Sequence, residues 1–325
     1  MPFLSSENLI KSPFWLPDGH TQSIYPALYR AVTLDHVAVR ERINTLDDDF
    51  LDVDWYVNQG DLDNTPLLII SHGLEGSSDR HYVKGLIRVM QREGYNILAW
   101  NYRSCSGELN RALRFYHSGA TDDLDFIIRL AHSRGAKQIS LAGFSLGGNL
   151  TAKWLGEQGE NPPHFIRKAV AFSVPLHLSS SSRKLARWEN RIYTHRFLQT
   201  LLKKVNEKSA VYPHDITSDM LKSIRSLKQF DDVITGPLHG FKDAEDYYEQ
   251  NSSLYFLEKI RIPLLIVNAQ NDPFLSEECI PYQLAETLDF VHLEAPKEGG
   301  HCGFFPKNYQ GVTWSEKRAA DWFSI

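Results

Sequence analysis

The 325-residue chain carries 35 Lys and Arg against 40 Asp and Glu, a net charge of −5, and 42% of its residues are hydrophobic. That balance excludes a general affinity for nucleic acid, and the apolar fraction is too high for a disordered chain. The longest uninterrupted apolar runs span four residues, such as Leu67 to Ile70, against the roughly 20 that a membrane-spanning helix needs.

The stretch through His20 lacks a basic region followed by a long apolar one, so no secretory signal is expected and the expected compartment is the cytoplasm. Ala31 to Arg42 and Phe50 to Val57 alternate in polarity, as an antiparallel lead-in at a sheet edge does. From there the pattern is strand, loop, helix. Leu67 to Ser71 reads as a buried strand ending in His72-Gly73-Leu74-Glu75-Gly76, and a helix from Arg80 to Glu93 stops at Gly94. Tyr95 to Tyr102 is a second strand. Thr121 to Arg134 has apolar residues at helical spacing and precedes a third strand, Gln138 to Ala142; a helix from Gly148 to Gln158 leads to a fourth, Lys168 to Val174. Short apolar runs separated by helices need both faces covered, which implies an α/β class with a mostly parallel sheet and right-handed crossovers.

The rhythm breaks between Pro175 and Phe256. Residues 176–256 read as a helical cap inserted into a single domain spanning 1–325, with Leu185, Trp188, Ile192, Leu198, Leu202 and Val205 spaced to line one face of an amphipathic helix packed on its own domain. Strands resume at Ile262 to Ala269 and Phe290 to Ala295. Charge is uneven: Arg183 to Lys228 carries +7 and the rest of the chain −12. A solvated surface accounts for such a run; the sharper expectation is a weak contact of residues 183–228 with an anionic membrane or an acidic substrate.

Gly143-Phe144-Ser145-Leu146-Gly147 stands where a strand ends and a helix begins. A serine on so sharp a turn needs small neighbours two residues before and after, which Gly143 and Gly147 supply. An acyl-transfer serine also needs a base and an orienting carboxylate, in the chain order Ser, Asp, His for this kind of sheet. Asp272 sits on the loop after the Ile262 to Ala269 strand, and His301 in the glycine-rich loop after the next. His292, inside a strand, His239, and Asp231 or Asp232, within the insertion, are the weaker candidates. Oxyanion donors are expected from the Leu146 N–H and from Leu74, in a loop of the HG-x-x-G kind. Cys105, Cys279 and Cys302 lack metal-ligand spacing and suit reduced thiols; no metal is expected, and Cys302 beside His301 reads as structural.

These residues resemble the α/β-hydrolase superfamily, and within it the YheT-like branch of esterases and its eukaryotic lipid-hydrolase relatives. Besides the serine turn, the matching stretches are Asp18 to Gln22, His72 to Gly76, Asn101 to Gly107, Phe230 to Tyr248, Asn271-Asp272-Pro273 and Gly299-Gly300-His301. The resemblance implies a triad at Ser145, Asp272 and His301 and a carboxylester or related acyl-ester activity without a cofactor. Arg103-Ser104, where relatives often have Arg-Gly, is expected to alter the pocket wall, and His20 to be structural. The expected substrate is a small-molecule ester with an aliphatic or aromatic acyl group. An acyltransferase with an alcohol acceptor uses the same triad, and a silent ligand-binding scaffold is the remaining class.

Overall fold

Runs such as Leu67–Ser71 and Leu264–Val267 leave no polar face for water, and the computed structural model buries them on both sides. It describes residues 10–57 and 62–324; the first nine residues, part of the stretch read as lacking a secretory signal, lie outside the described residues. The strands are β1 (Val39–Asn44), β2 (Phe50–Tyr56), β3 (Leu67–Ser71), β4 (Asn96–Asn101), β5 (Ile139–Phe144), β6 (Ile166–Phe172), β7 (Leu264–Val267) and β8 (Val291–Glu294). They form one sheet in the order β1-β2-β4-β3-β5-β6-β7-β8. β1 and β2 pair antiparallel, β2 pairs antiparallel with β4, and every later pair is parallel. The α/β class read from the alternation is the class observed.

Alternate residues of the parallel strands feed two cores. Leu67, Ile69, Leu98, Leu141 and Ile266 face the helices α3 (Thr121–Ser133) and α4 (Leu146–Gln158). Leu68, Ile70, Ala99, Val170 and Val267 face α2 (His81–Arg92) and the C-terminal helix Trp314–Ser324. A helix α1 (Gly19–Tyr29) precedes the sheet, capped by the Asp18 carboxylate, which accepts from the Thr21 N–H at 2.9 Å.

Between β6 and β7 the described elements are helical: α5 (Leu178–Leu185), α6 (Arg191–Ser209), Ser218–Ser223, Leu227–Phe230, a π-helical turn at Asp231–Thr235 and Ala244–Asn251 among them. This segment has its own small core, including Leu198, Val205, Ile224 and Ile234, into which Phe115 of the main body is inserted.

Two expectations need correction. The lead-in strand does not start at Ala31: β1 begins at Val39, because β2 offers partners only from Phe50, opposite Asn44, to Trp55, opposite Val39. Nor do Leu185 to Val205 share one helical face. A break follows Leu185, where the Asn190 amide donates to the carbonyls of Lys184 and Pro273 at 2.9 and 2.8 Å. Leu198 and Val205 are buried, whereas Trp188 and Ile192 are 81% and 75% exposed.

The 103–114 loop is held by buried charge. Arg103 pairs with Asp49 at 2.6 Å and Asp123 at 2.7 Å, and both carboxylates are buried. Arg103 and Ser104 do not line the large cavity described below, so their expected effect on its wall is not seen. Lys208 of α6 reaches Asn110 Oδ1 at 2.6 Å and stacks its ammonium on Phe115, 4.0 Å from the ring centroid. Arg103→Met strands two buried carboxylates, so it should lower the unfolding free energy by about 3–5 kcal/mol, seen as an earlier transition in chemical denaturation followed by circular dichroism.

Candidate active site

Ser145 closes β5 and opens α4 with φ 54 and ψ −120, a left-handed conformation that a side-chain-bearing residue holds only under surrounding constraint. The constraint is backbone packed against backbone. A Cβ on Gly143 would lie 2.3 Å from the Gly147 carbonyl oxygen, and one on Gly147 would lie 2.4 Å from the Ser71 carbonyl oxygen. The Ser145 N–H is spent on Phe172 O at 2.8 Å, which pins the turn to β6.

The fold brings His301 and Asp272 to this serine. His301 Nε2 lies 2.9 Å from Ser145 Oγ, and Nδ1 lies 2.9 and 3.1 Å from the two Asp272 oxygens. A proton on Nδ1, donated to the carboxylate, leaves Nε2 to accept from the hydroxyl. Burial alone would lower the His301 pKa, but the adjacent Asp272 carboxylate outweighs it, so the imidazole titrates above its ordinary 6.5.

What holds these two loops was not visible in the sequence. Gln22 of α1 accepts on Oε1 from the Asn271 amide and from the Gly299 N–H, both at 2.9 Å. The neighbouring Ser23 hydroxyl accepts from the His301 N–H at 2.7 Å. The one available signal is the Asp18 to Gln22 stretch, which matched the family pattern without a role attached. His20 is stacked on Tyr193 of α6, with Nδ1 3.2 Å from its hydroxyl.

The loop after β3 passes close to the serine: a Cβ on Gly73 would lie 3.2 Å from Ser145 Cβ. The Gly73 N–H donates to the Tyr82 hydroxyl at 3.1 Å and the Glu75 N–H to the Tyr116 hydroxyl at 2.9 Å. Between them, the Leu74 N–H has no hydrogen-bond acceptor among the described residues. Leu146 opens α4, so its N–H has no helical acceptor either. Glu75, at φ 51, is locked from the insertion: its carboxylate accepts from Lys204 and from the Tyr116 hydroxyl, each at 2.8 Å. Tyr82, Tyr116 and Lys204 carry no motif of their own in the sequence.

The remaining candidates lie apart from this relay. His239 is committed to Thr235 O and to the Phe115 backbone. His292 sits in β8 and packs on Trp322. Asp231 bonds Tyr248 and Thr235, and Asp232 pairs with Lys228. Cys302, buried, donates its N–H to Ser173 Oγ, and all three cysteines are free thiols. Ser145, Leu74, Leu146 and His301 open on a cavity of about 790 Å³, walled by residues of α1, α2, the 116–118 loop and the helical insertion. Such a site presents an activated hydroxyl and two unused amides to a ligand held in the cavity.

A family model described as the alpha/beta hydrolase fold matches residues 66–308. The YheT protein of Escherichia coli (strain K12) is 35% identical over 310 residues, 94% of this chain and 90% of that one. Phospholipase ABHD3 of Mus musculus is 30% identical over 272 residues, 81% and 66% of the two chains. A monoacylglycerol lipase of Saccharomyces cerevisiae is 30% identical over 261 residues, 78% and 57%. Esterase Pf2001 of Pyrococcus furiosus shares the fold, with a TM-score of 0.59 at 16% identity over 99% and 98% of the chains. With the family model spanning the body of the chain and the YheT relative matching it nearly end to end, this chain belongs to the α/β-hydrolase family, in its YheT-like branch.

Proposed function

We propose that this protein is a serine hydrolase that cleaves carboxylic esters through an acyl-enzyme on Ser145. The observation that carries the reading is the hydrogen-bonded line from Ser145 Oγ through His301 to Asp272, opening on a cavity large enough for a lipid-sized ester. His301 takes the hydroxyl proton as Ser145 attacks the carbonyl, while Asp272 fixes the tautomer and stabilises the imidazolium. The Leu74 and Leu146 amides hold the oxyanion; as it collapses, the ester C–O bond breaks and His301 gives its proton to the departing alcohol, after which the neutral imidazole deprotonates a water that attacks the acyl-enzyme and releases the acid, the proton returning to Ser145. Relatives named as a phospholipase and as a monoacylglycerol lipase support a lipid-like ester.

The cavity rim favours uptake from a lipid surface. Ile192 and Leu28 line the cavity and are exposed, Trp188, four residues before Ile192 in the chain, is exposed too, and so are the cationic Arg187, Arg191 and Arg196 of the same segment. Lys203, Lys204, Lys222 and Lys228 of the basic stretch pair with Glu207, Glu75, Asp219 and Asp232, and the membrane contact proposed for residues 183–228 is placed at this rim.

A fluorophosphonate should label Ser145, identified by mass spectrometry of the digest, and Ser145→Ala should lose p-nitrophenyl ester turnover by a factor on the order of 10⁶. Because the reaction needs neutral His301 and Asp272 raises its pKa, kcat/KM should climb with pH about a midpoint above 6.5. Asp272→Asn should cut kcat by about 10⁴ and move that midpoint down. Finally, co-sedimentation with vesicles should rise with phosphatidylglycerol content, and Trp188→Ala with Arg191→Ala should weaken it; vesicle binding indifferent to lipid charge and to these substitutions would remove the membrane contact.

A further inference from the structure

In the loop His72-Gly73-Leu74-Glu75-Gly76 the residue in the left-handed conformation is the glutamate, at φ 51, and neither glycine. The glycines answer to crowding instead: a Cβ on Gly76 would lie 2.8 Å from the Gly73 carbonyl oxygen and 2.9 Å from His72 Nδ1. Glycine adopts left-handed angles without strain, so a side chain at position 75 must offset its conformational cost through contacts that glycine cannot make.

Glu75 makes two such contacts. One carboxylate oxygen accepts from Lys204 Nζ and from the Tyr116 hydroxyl, each at 2.8 Å, and only 6% of the side chain is exposed. Its backbone is gripped as well, since the N–H donates to the same Tyr116 hydroxyl at 2.9 Å and the carbonyl accepts from Arg80 Nη2 at 2.6 Å. Tyr116 in turn stacks on Tyr102, whose hydroxyl donates to the His72 carbonyl at 2.7 Å. All of these partners except Lys204 belong to the body that carries the sheet. Lys204 comes from α6, on the face it shares with Leu201, Val205 and Lys208. Two ammonium groups one turn apart therefore seat α6: Lys208 on Asn110, and Lys204 on the loop that carries Leu74.

The Leu74 N–H, unspent among the described residues, lies between two pinned amides, Gly73 on Tyr82 and Glu75 on Tyr116. With both neighbours fixed, the peptide that carries the Leu74 N–H is fixed between them. Lys204 also neutralises a carboxylate one residue from that amide; left bare, it would oppose negative charge developing on a bound carbonyl oxygen. Neither Lys204 nor Glu75 lines the cavity, so changing them leaves the substrate's own contacts in place.

We propose that Lys204 is a positioning residue for the oxyanion: through Glu75 it fixes the Leu74 amide, so that transition-state stabilisation at Ser145 is complete only when α6 is seated on the loop after β3. This rests on the serine-hydrolase reading of Ser145. Neither Lys204 nor Glu75 takes part in proton transfer or bond making.

The test measures kcat and KM for p-nitrophenyl octanoate beside the inhibition constant of the trifluoromethyl ketone of the same chain length, whose adduct with Ser145 carries an oxyanion. Lys204→Met and Glu75→Gly should each lower kcat by about 10- to 100-fold, weaken the ketone by the same factor and leave KM within about two-fold. Glycine takes the angles of position 75 without strain, so a loss in Glu75→Gly is a loss of the side chain's contacts. Lys204→Arg keeps the ion pair and should hold kcat within about five-fold of wild type, and Lys203→Met, at an exposed neighbour on α6, should change neither constant. Thermal unfolding reports folding, and if Lys204→Met does not fold, Glu75→Gly decides. A fall in kcat that the ketone does not follow, an effect on KM alone, or wild-type kcat in the folded variants overturns the positioning role and leaves the hydrolase standing. A wild-type enzyme with no ester turnover and no fluorophosphonate label at Ser145 would bring down both readings.

Discussion

The structure turns on a conformational constraint at one residue. Ser145 sits at φ 54 where β5 becomes α4, a conformation that costs on the order of 1–3 kcal/mol and persists only if its surroundings leave no alternative. The surroundings are main chain rather than side chain: a Cβ on Gly143 would strike the Gly147 backbone, and one on Gly147 the Ser71 backbone. That contact needs β3 and β5 as neighbours in the sheet, which needs the right-handed crossovers through α2 and α3. The sheet order and the exposed hydroxyl are thus one requirement stated at two scales.

A second dependence runs from the insertion into the loop after β3. Glu75 holds its left-handed position while its carboxylate is bound by Lys204 and Tyr116, and Lys204 belongs to α6. A shift of α6 that broke this pair would leave a buried carboxylate without its cation, an expensive state. The residue adjoining Glu75 is Leu74, whose amide is unspent. The helices over the cavity and the geometry of that amide are therefore coupled through a single ion pair.

The sheet and the serine turn are legible in the sequence because both are written locally, in apolar runs and in glycines at fixed offsets. Asp272 and His301 follow from chain order and loop position. Gln22 and Ser23 do not, since each acts on a partner more than 270 residues away and neither belongs to a pattern with a stated chemistry. Arg103-Ser104 was visible as a departure from the family's Arg-Gly pair, but a motif does not say on which side of the loop a side chain falls; burial of Arg103 beside Asp49 and Asp123 decides it. The spacing from Leu185 to Val205 is compatible with one helical face, yet Asn190 interrupts the helix by taking two carbonyls of its own.

The bonds from Gln22 and Ser23 to Gly299 and His301 join the first tenth of the chain to the last. A nascent chain therefore carries its serine 156 residues before the base that activates it. During synthesis the hydroxyl exists before its proton acceptor does, and the site becomes reactive only when the His301 loop has been made and docked on Ser23.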